Sequence, residues 1–247
     1  MLNKKNSSHF LSYLPQSSRA GCALLLAVVG LTGCSSSPTP NYYSLTPTVK
    51  PLVSSNVRVI EVLPVGLPDR LNRAPLVLQD SSGKSNVFDN ERWTSTLGAE
   101  LRDGLSAGLQ QKLGAVDRYS SGMTGGKVSY RIATDFSRFD IIEHSNTRSL
   151  MGSMNRDIEV AVAWIIKRDD PARPLNQPTG VQNAVLPNRQ LSCRMAFTDA
   201  VGADGDKIVD IVSVSRQSLS KVVEAIAASV VATEANKAVV MEGVTCS

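Results

Sequence analysis

The 247-residue chain sets 26 Lys and Arg against 22 Asp and Glu, a net charge of +4, and 42% of its residues are hydrophobic. Lys4, Lys5 and Arg19 supply three of those charges inside an N-terminal leader that has no acidic residue, so the remainder is near neutral and nucleic acid is not an expected partner. Of two histidines, His9 lies in the leader; His144 alone cannot build a His-rich zinc site, and no Gly-x-Ser-x-Gly elbow supplies a nucleophile for a triad.

The leader opens basic, continues through an apolar run over residues 20–30, and closes on Leu31-Thr32-Gly33-Cys34. That is the layout of an export signal with a cysteine at its cut site. The apolar run is about half of the roughly 20 residues that a membrane span requires. The segment resembles the lipobox of bacterial lipoproteins, where the Cys thiol receives a diacylglycerol and the small residues before it let the backbone enter an intramembrane peptidase; the alternative is an ordinary secretory signal whose Cys is incidental. Residues 1–33 are therefore read as a lipoprotein signal peptide and Cys34 as the lipidated residue.

Residues 34–56 begin Ser35-Ser36-Ser37-Pro38-Thr39-Pro40 and read as a flexible tether, a dozen residues of which reach roughly 40 Å. Ser35 stands where Asp retains lipoproteins of this type in the inner membrane, which points to the outer membrane, facing the periplasm. Cys22 leaves with the leader. Cys193 and Cys246 then sit in a compartment where disulfides persist, and they are expected to pair; the alternative is one buried strand thiol and one exposed thiol in a frayed tail.

The folded domain is placed at 57–232. Residues 57–62 alternate and predict a strand, followed by short strands at 76–78 and 86–88 across a turn at 81–84. Trp93, Leu97, Leu101, Leu105, Leu109 and Leu113 predict a helix over 90–113, capped by Asp89 or Asn90 and ended by Gly114. Gly98, Gly104 and Gly108 inside it signal either close approach of another element or simple tolerance. Strands follow at 116–119, 127–140, 157–167 and 191–198. Residues 141–155 read as a hairpin loop, 169–188 as a proline-rich insertion and 199–207 as a turn. A last helix begins among Ser213, Ser215 and Ser218 and carries Leu219, Val222, Val223, Ile226 and Val230; 233–247 is a C-terminal tail, of which 242–247 have no reason for order unless Cys246 holds them. The pattern implies a single α+β domain, an antiparallel or mixed sheet with two main helices packed on it.

Three stretches resemble sites and fit other roles better. Residues 122–128 lack the spacing of a phosphate loop, with Val128 where Ser or Thr belongs, and read as a hairpin turn. Asp199, Asp204, Asp206 and Asp210 miss the spacing of a calcium loop and read as solvated turn carboxylates, as do Asp169 and Asp170. Trp93 and Trp164 read as core. No catalytic residue, metal ligand or cofactor is assigned.

Several segments, in order, resemble one family. They are Leu31-Thr32-Gly33-Cys34 followed by Asn41-Tyr42-Tyr43-Ser44-Leu45, the strand at 57–62 with Leu67-Pro68, Arg92-Trp93 ahead of the leucine series, Asp157-Ile158-Glu159-Val160 with Trp164, and the last helix. In these the chain resembles the paraquat-inducible PqiC-type lipoproteins, auxiliary lipoprotein components of ABC-type transport. The resemblance implies a lipid-anchored, non-enzymatic periplasmic component of an MCE-type lipid transport and membrane-integrity system. Its implied partners are an MCE-domain protein with its inner-membrane permease or ABC transporter, and further copies of itself in a homo-oligomer at the outer membrane. The competing expectations are a structural lipoprotein that binds peptidoglycan and a periplasmic hydrolase.

Overall fold

The computed structural model describes residues 38–122, 127–144, 155–170, 190–202 and 207–247. Its strands are β1 (Asn41–Tyr43), β2 (Val59–Val62), β3 (Pro75–Asp80), β4 (Ser85–Trp93), β5 (Val116–Asp117), β6 (Ser129–His144), β7 (Asn155–Asp169), β8 (Gln190–Val201) and β9 (Val244–Cys246). Its helices are α1 (Leu97–Leu113), the single turn α2 (Arg118–Ser121) and α3 (Ile208–Ala235).

Alternation makes the centre of the sheet. In β7, Ile158, Val160, Val162, Trp164 and Ile166 are buried, and successive side chains of a strand point to opposite faces, so one face of β7 is committed to the core. β6 and β8 flank β7 antiparallel, and β9 extends β8. The other edge of β6 is shared. β2 runs parallel to its first half at Tyr130–Ile132, and β3 runs parallel to its second half at Ile141–Glu143. Gly66 bridges to Asp135 between them. β5 lies beyond β2, and β4 then β1 lie beyond β3, giving, among the described residues, one mixed, open sheet of nine strands.

A bulge makes this sharing possible. Tyr130, Ile132, Thr134 and Phe136 are buried at even positions, Phe139 and Ile141 at odd ones, and the register against β7 shifts between Phe136 and Arg138. One extra residue flips the phase, so both halves of β6 aim apolar side chains at the same core.

Both long helices cover that core face. α1 buries Leu97, Leu101, Leu105, Leu109 and Leu113 and ends at Gly114, whose φ of 63° closes the helix with N–H to the Gln110 carbonyl. α3 buries Leu219, Val222, Val223, Ile226 and Val230 and packs on β7, β8 and α1. The glycines mark where α1 meets its neighbours. A Cβ on Gly104 would lie 2.8 Å from the Leu45 carbonyl oxygen, and one on Gly108 would lie 2.8 Å from Val223 and 2.9 Å from Pro47. No helix among the described residues is long and apolar enough to cross a membrane.

Several boundaries differ from the sequence reading. Residues 90–93 belong to β4, and α1 starts after Thr96; Trp93 shares the leucine phase but its N–H bonds to the Ala74 carbonyl and it pairs with Tyr43 of β1. Within the stretch read as tether, residues 41–49 are folded. β1 pairs with β4, Leu45 is buried against α1, where its N–H meets Glu100 and its carbonyl lies beside Gly104, and Val49 is buried in the core. The Ser/Pro composition that argued for a tether ends at Pro40. β6 extends to His144, into the stretch read as hairpin loop; residues 145–154 and 171–189 lie outside the described residues, as do Asp204 and Asp206. Asp199 is on β8 facing α3, where it accepts hydrogen bonds from Ser218 at 2.7 Å and from Lys221, so it is not a solvated turn group. α3 begins at Ile208, five residues ahead of Ser213. The tail returns as β9. From Pro40 to Ser247 the chain is one compact unit; Pro38 and Thr39, of the preceding unit, are exposed, and Cys34 lies outside the described residues.

Candidate docking surface

The helices occupy one face of the sheet, and no described element covers the other at its centre. An antiparallel sheet with a solvated face normally alternates polar residues on that side. Here the outward positions of β7 read Glu159, Ala161, Ala163, Ile165, and Ile165 is 41% exposed. Ala196 of β8 continues this low floor. The result is a shallow depression of about 350 Å³ whose floor is Ala161, Ala163 and Ala196, with Gly243 and Thr245 of the C-terminal segment as one wall.

A single row of residues crosses the depression. Asp135 is opposite Ala163, Ala163 is opposite Arg194, and Arg194 is opposite Thr245. Neighbouring strands lie about 4.8 Å apart, so an exposed carboxylate and an exposed guanidinium stand two strand spacings apart, roughly 10 Å, with only a methyl group between their stems. Neither has an ion-pair partner among the described residues. An anion and a cation so placed are suited to hold a partner of alternating charge. They are not an acid–base pair, because they do not reach each other.

Charge networks close both ends of this face. At one end Arg138 meets Glu159 at 2.9 Å, His144 Nε2 meets Asp157 at 3.0 Å, and Arg70 meets the buried Asp140 at 3.4 Å. Burial pushes the Asp140 carboxyl up, and the Arg70 charge opposes that only in part. At the other end Glu61 accepts from Arg118 and Arg131, each Nε at 3.0 Å. Burial raises the Glu61 carboxyl, and the two guanidinium hydrogen bonds more than reverse it, so its pKa is lowered. His144 is thus fixed at the end of β6 by a carboxylate, where the sequence reading had placed it in a mobile loop. Among the described residues no group of three or more His, Cys, Asp or Glu is placed to hold a metal ion.

Cys193 and Cys246 lie on the helix-facing side and are joined as a disulfide, with Cα atoms 4.1 Å apart. Ser192 and Ser247 exchange both backbone hydrogen bonds beside them, so the cysteines occupy the adjacent non-hydrogen-bonded pair, where strands bring Cα atoms closest. Trp164 and Trp93 are core residues, 1% and 3% exposed. The Asp135–Arg194 row escaped the sequence reading, although the Ala161-x-Ala163 interruption of the polar parity of β7 was visible there.

The family model for the ABC-type transport auxiliary lipoprotein component matches residues 43–227, from β1 into α3. The chain belongs to this family. The auxiliary lipoprotein fold recurs in solved structures, among them two crystal structures. One, of an uncharacterized protein, is 19% identical with a TM-score of 0.51 and covers 78% of this chain and 99% of the other. The second, of a Xanthomonas campestris protein, is 15% identical with a TM-score of 0.51, covering 79% of this chain and 98% of the other. At these identities the likeness concerns the fold. No protein of curated function matches the chain. The auxiliary lipoprotein family is one of transport components rather than of enzymes, and its members are membrane-associated on the periplasmic side.

Proposed function

We propose that this auxiliary lipoprotein is the lipid-anchored, periplasm-facing component of an MCE-type lipid transport system, and that it docks the transport assembly at the outer membrane as a homo-oligomer. The observation that carries this reading is the family match beginning at Tyr43, nine residues after Cys34, which directly follows the stretch read as an export signal. Cys34, lipidated, holds the domain at the bilayer. The folded body contributes a rigid sheet face with fixed charges at its ends, suited to recruiting another protein.

Mild crosslinking in intact cells followed by purification of the acylated protein tests the proposal. An MCE-domain protein with its permease or ABC transporter is the expected co-purifying partner, and Cys34→Ala is expected to release the protein to the soluble fraction and abolish function. Capture on purified sacculi with no MCE-domain partner would replace this reading with a structural peptidoglycan-binding role.

A further inference from the structure

The folded chain starts sooner after Cys34 than its composition suggests, and the strand it starts with is a margin of the sheet. Asn41 Nδ2 and Tyr43 Oη donate to the two oxygens of Glu91 at 2.9 and 2.7 Å, and β1 is in register with β4. The next residues are locked from both helices. Glu100 accepts the Leu45 N–H at 3.0 Å, and Arg216 donates to the Ser44 carbonyl at 2.8 Å. None of this can pay out as tether without exposing Leu45 and Val49. Six residues, 35–40, therefore join Cys34 to β1, and seven Cα steps reach at most about 25 Å.

The helix-free face at that margin has interfacial chemistry. Tyr42 alternates with Tyr43, whose partner Trp93 is buried, so Tyr42 points away from the core and is 60% exposed. Val77 and Val87 stand opposite each other on the same face, Val87 at 42% exposure. Arg73, exposed and without an ion-pair partner among the described residues, lines a depression of about 90 Å³ with Val77, Ser85 and the Arg70–Asp140 pair, whose carboxylate is already matched by Arg70. An aromatic hydroxyl, short apolar side chains and a free guanidinium match the boundary between acyl chains and phosphates.

We propose that the β1–β4–β3 margin lies against the bilayer that carries the anchor, with Tyr42 and Val87 at headgroup level and Arg73 on lipid phosphates. This rests on lipidation of Cys34, and the test separates the two. The acylated Tyr42→Trp protein is purified, its Cys34 modification is checked by intact mass, and it is reconstituted in phosphatidylethanolamine–phosphatidylglycerol vesicles with headgroup spin-labelled phosphatidylcholine. The native Trp93 and Trp164 are buried and give a constant background. Fluorescence of the Tyr42→Trp protein is expected to be quenched at least ~2-fold more than that of a Thr198→Trp protein, whose site on β8 is about five strand spacings away. Adding Arg73→Glu is expected to weaken the quenching, as is inserting a long Gly-Ser segment after Ser37. Equal quenching at the two sites, or none at Tyr42→Trp, would overturn the placement. If the mass shows no lipid, the anchor reading fails by itself. The mature chain coupled through the Cys34 thiol to a maleimide lipid then gives the same comparison of sites.

Discussion

Gly104 and Leu219 meet with no room for a methyl group: a Cβ on Gly104 would sit 2.6 Å from Leu219 Cδ2. The same Cβ would meet the Leu45 carbonyl oxygen, which cannot swing aside. Gly104→Ala gains about 1 kcal/mol of helix propensity but incurs an overpacking cost of 1–3 kcal/mol or more. Urea unfolding is expected to show net destabilisation for Gly104→Ala and again for Gly108→Ala. Gly98→Ala, which meets only the side chain of Asn72, should be milder.

Asp117 ties β5 to α1 and β2. Its carboxylate, fully buried, accepts from Arg102 at 2.9 Å, from Ser106 at 2.6 Å and from the Val62 N–H at 3.2 Å, while Arg102 lies 4.8 Å over the Tyr119 ring. Removing one member of a buried pair strands the other. Asp117→Ala is expected to lower stability by about 3–5 kcal/mol, measured by denaturant titration, whereas Asp103→Ala, whose exposed carboxylate also meets Arg102, should change it by less than ~1 kcal/mol.

Cys193 and Cys246 enclose a loop of 53 residues in sequence separation. Chain-entropy reasoning assigns such a crosslink about 4 kcal/mol. Cys246→Ser with Cys193→Ser should lower the unfolding midpoint. Amide exchange should quicken first in β9 and over residues 236–243, which the bond clips to β8.

Two carboxylates should give opposite pH signatures. The Glu61 pKa is lowered in the fold, so its stabilisation is complete above the ordinary Glu value of 4.5 and is lost as pH falls through the lowered folded value. Glu61→Gln should be less stable than wild type at neutral pH and converge with it in acid. Asp140 has a raised folded pKa, so stability falls as pH rises from the ordinary Asp value of 3.8 through the folded one. Asp140→Asn should remove that fall. Urea midpoints across pH 3–7 check both.

Periodicity carried the parts of the fold whose burial is one-sided over many residues. The leucines of α1, the valines of α3 and the alternation in β7 each face a single core, so pattern and structure coincide. Trp93 misled because its spacing matches the helix while its backbone serves a strand; hydrogen bonding, which sequence does not display, decided the matter. Asn41–Tyr43 and Leu45 were hidden by their Ser/Pro neighbours, since three residues of edge strand have too little alternation to register. The Asp135–Arg194 row depends on which strands are adjacent. Those residues are 59 positions apart, and only the pairing of β6, β7 and β8 brings them level.

β6 works as a ruler. It is gauged along one side by β7 and along the other by β2 and β3, with Ser137 as the single residue that sets the phase between its halves. A deletion or insertion anywhere from Tyr130 to Ile141 would invert one half against two neighbours at once, β7 and either β2 or β3. Evolution is thus left to vary length in the connections, and alignments of relatives should be gap-free across this strand.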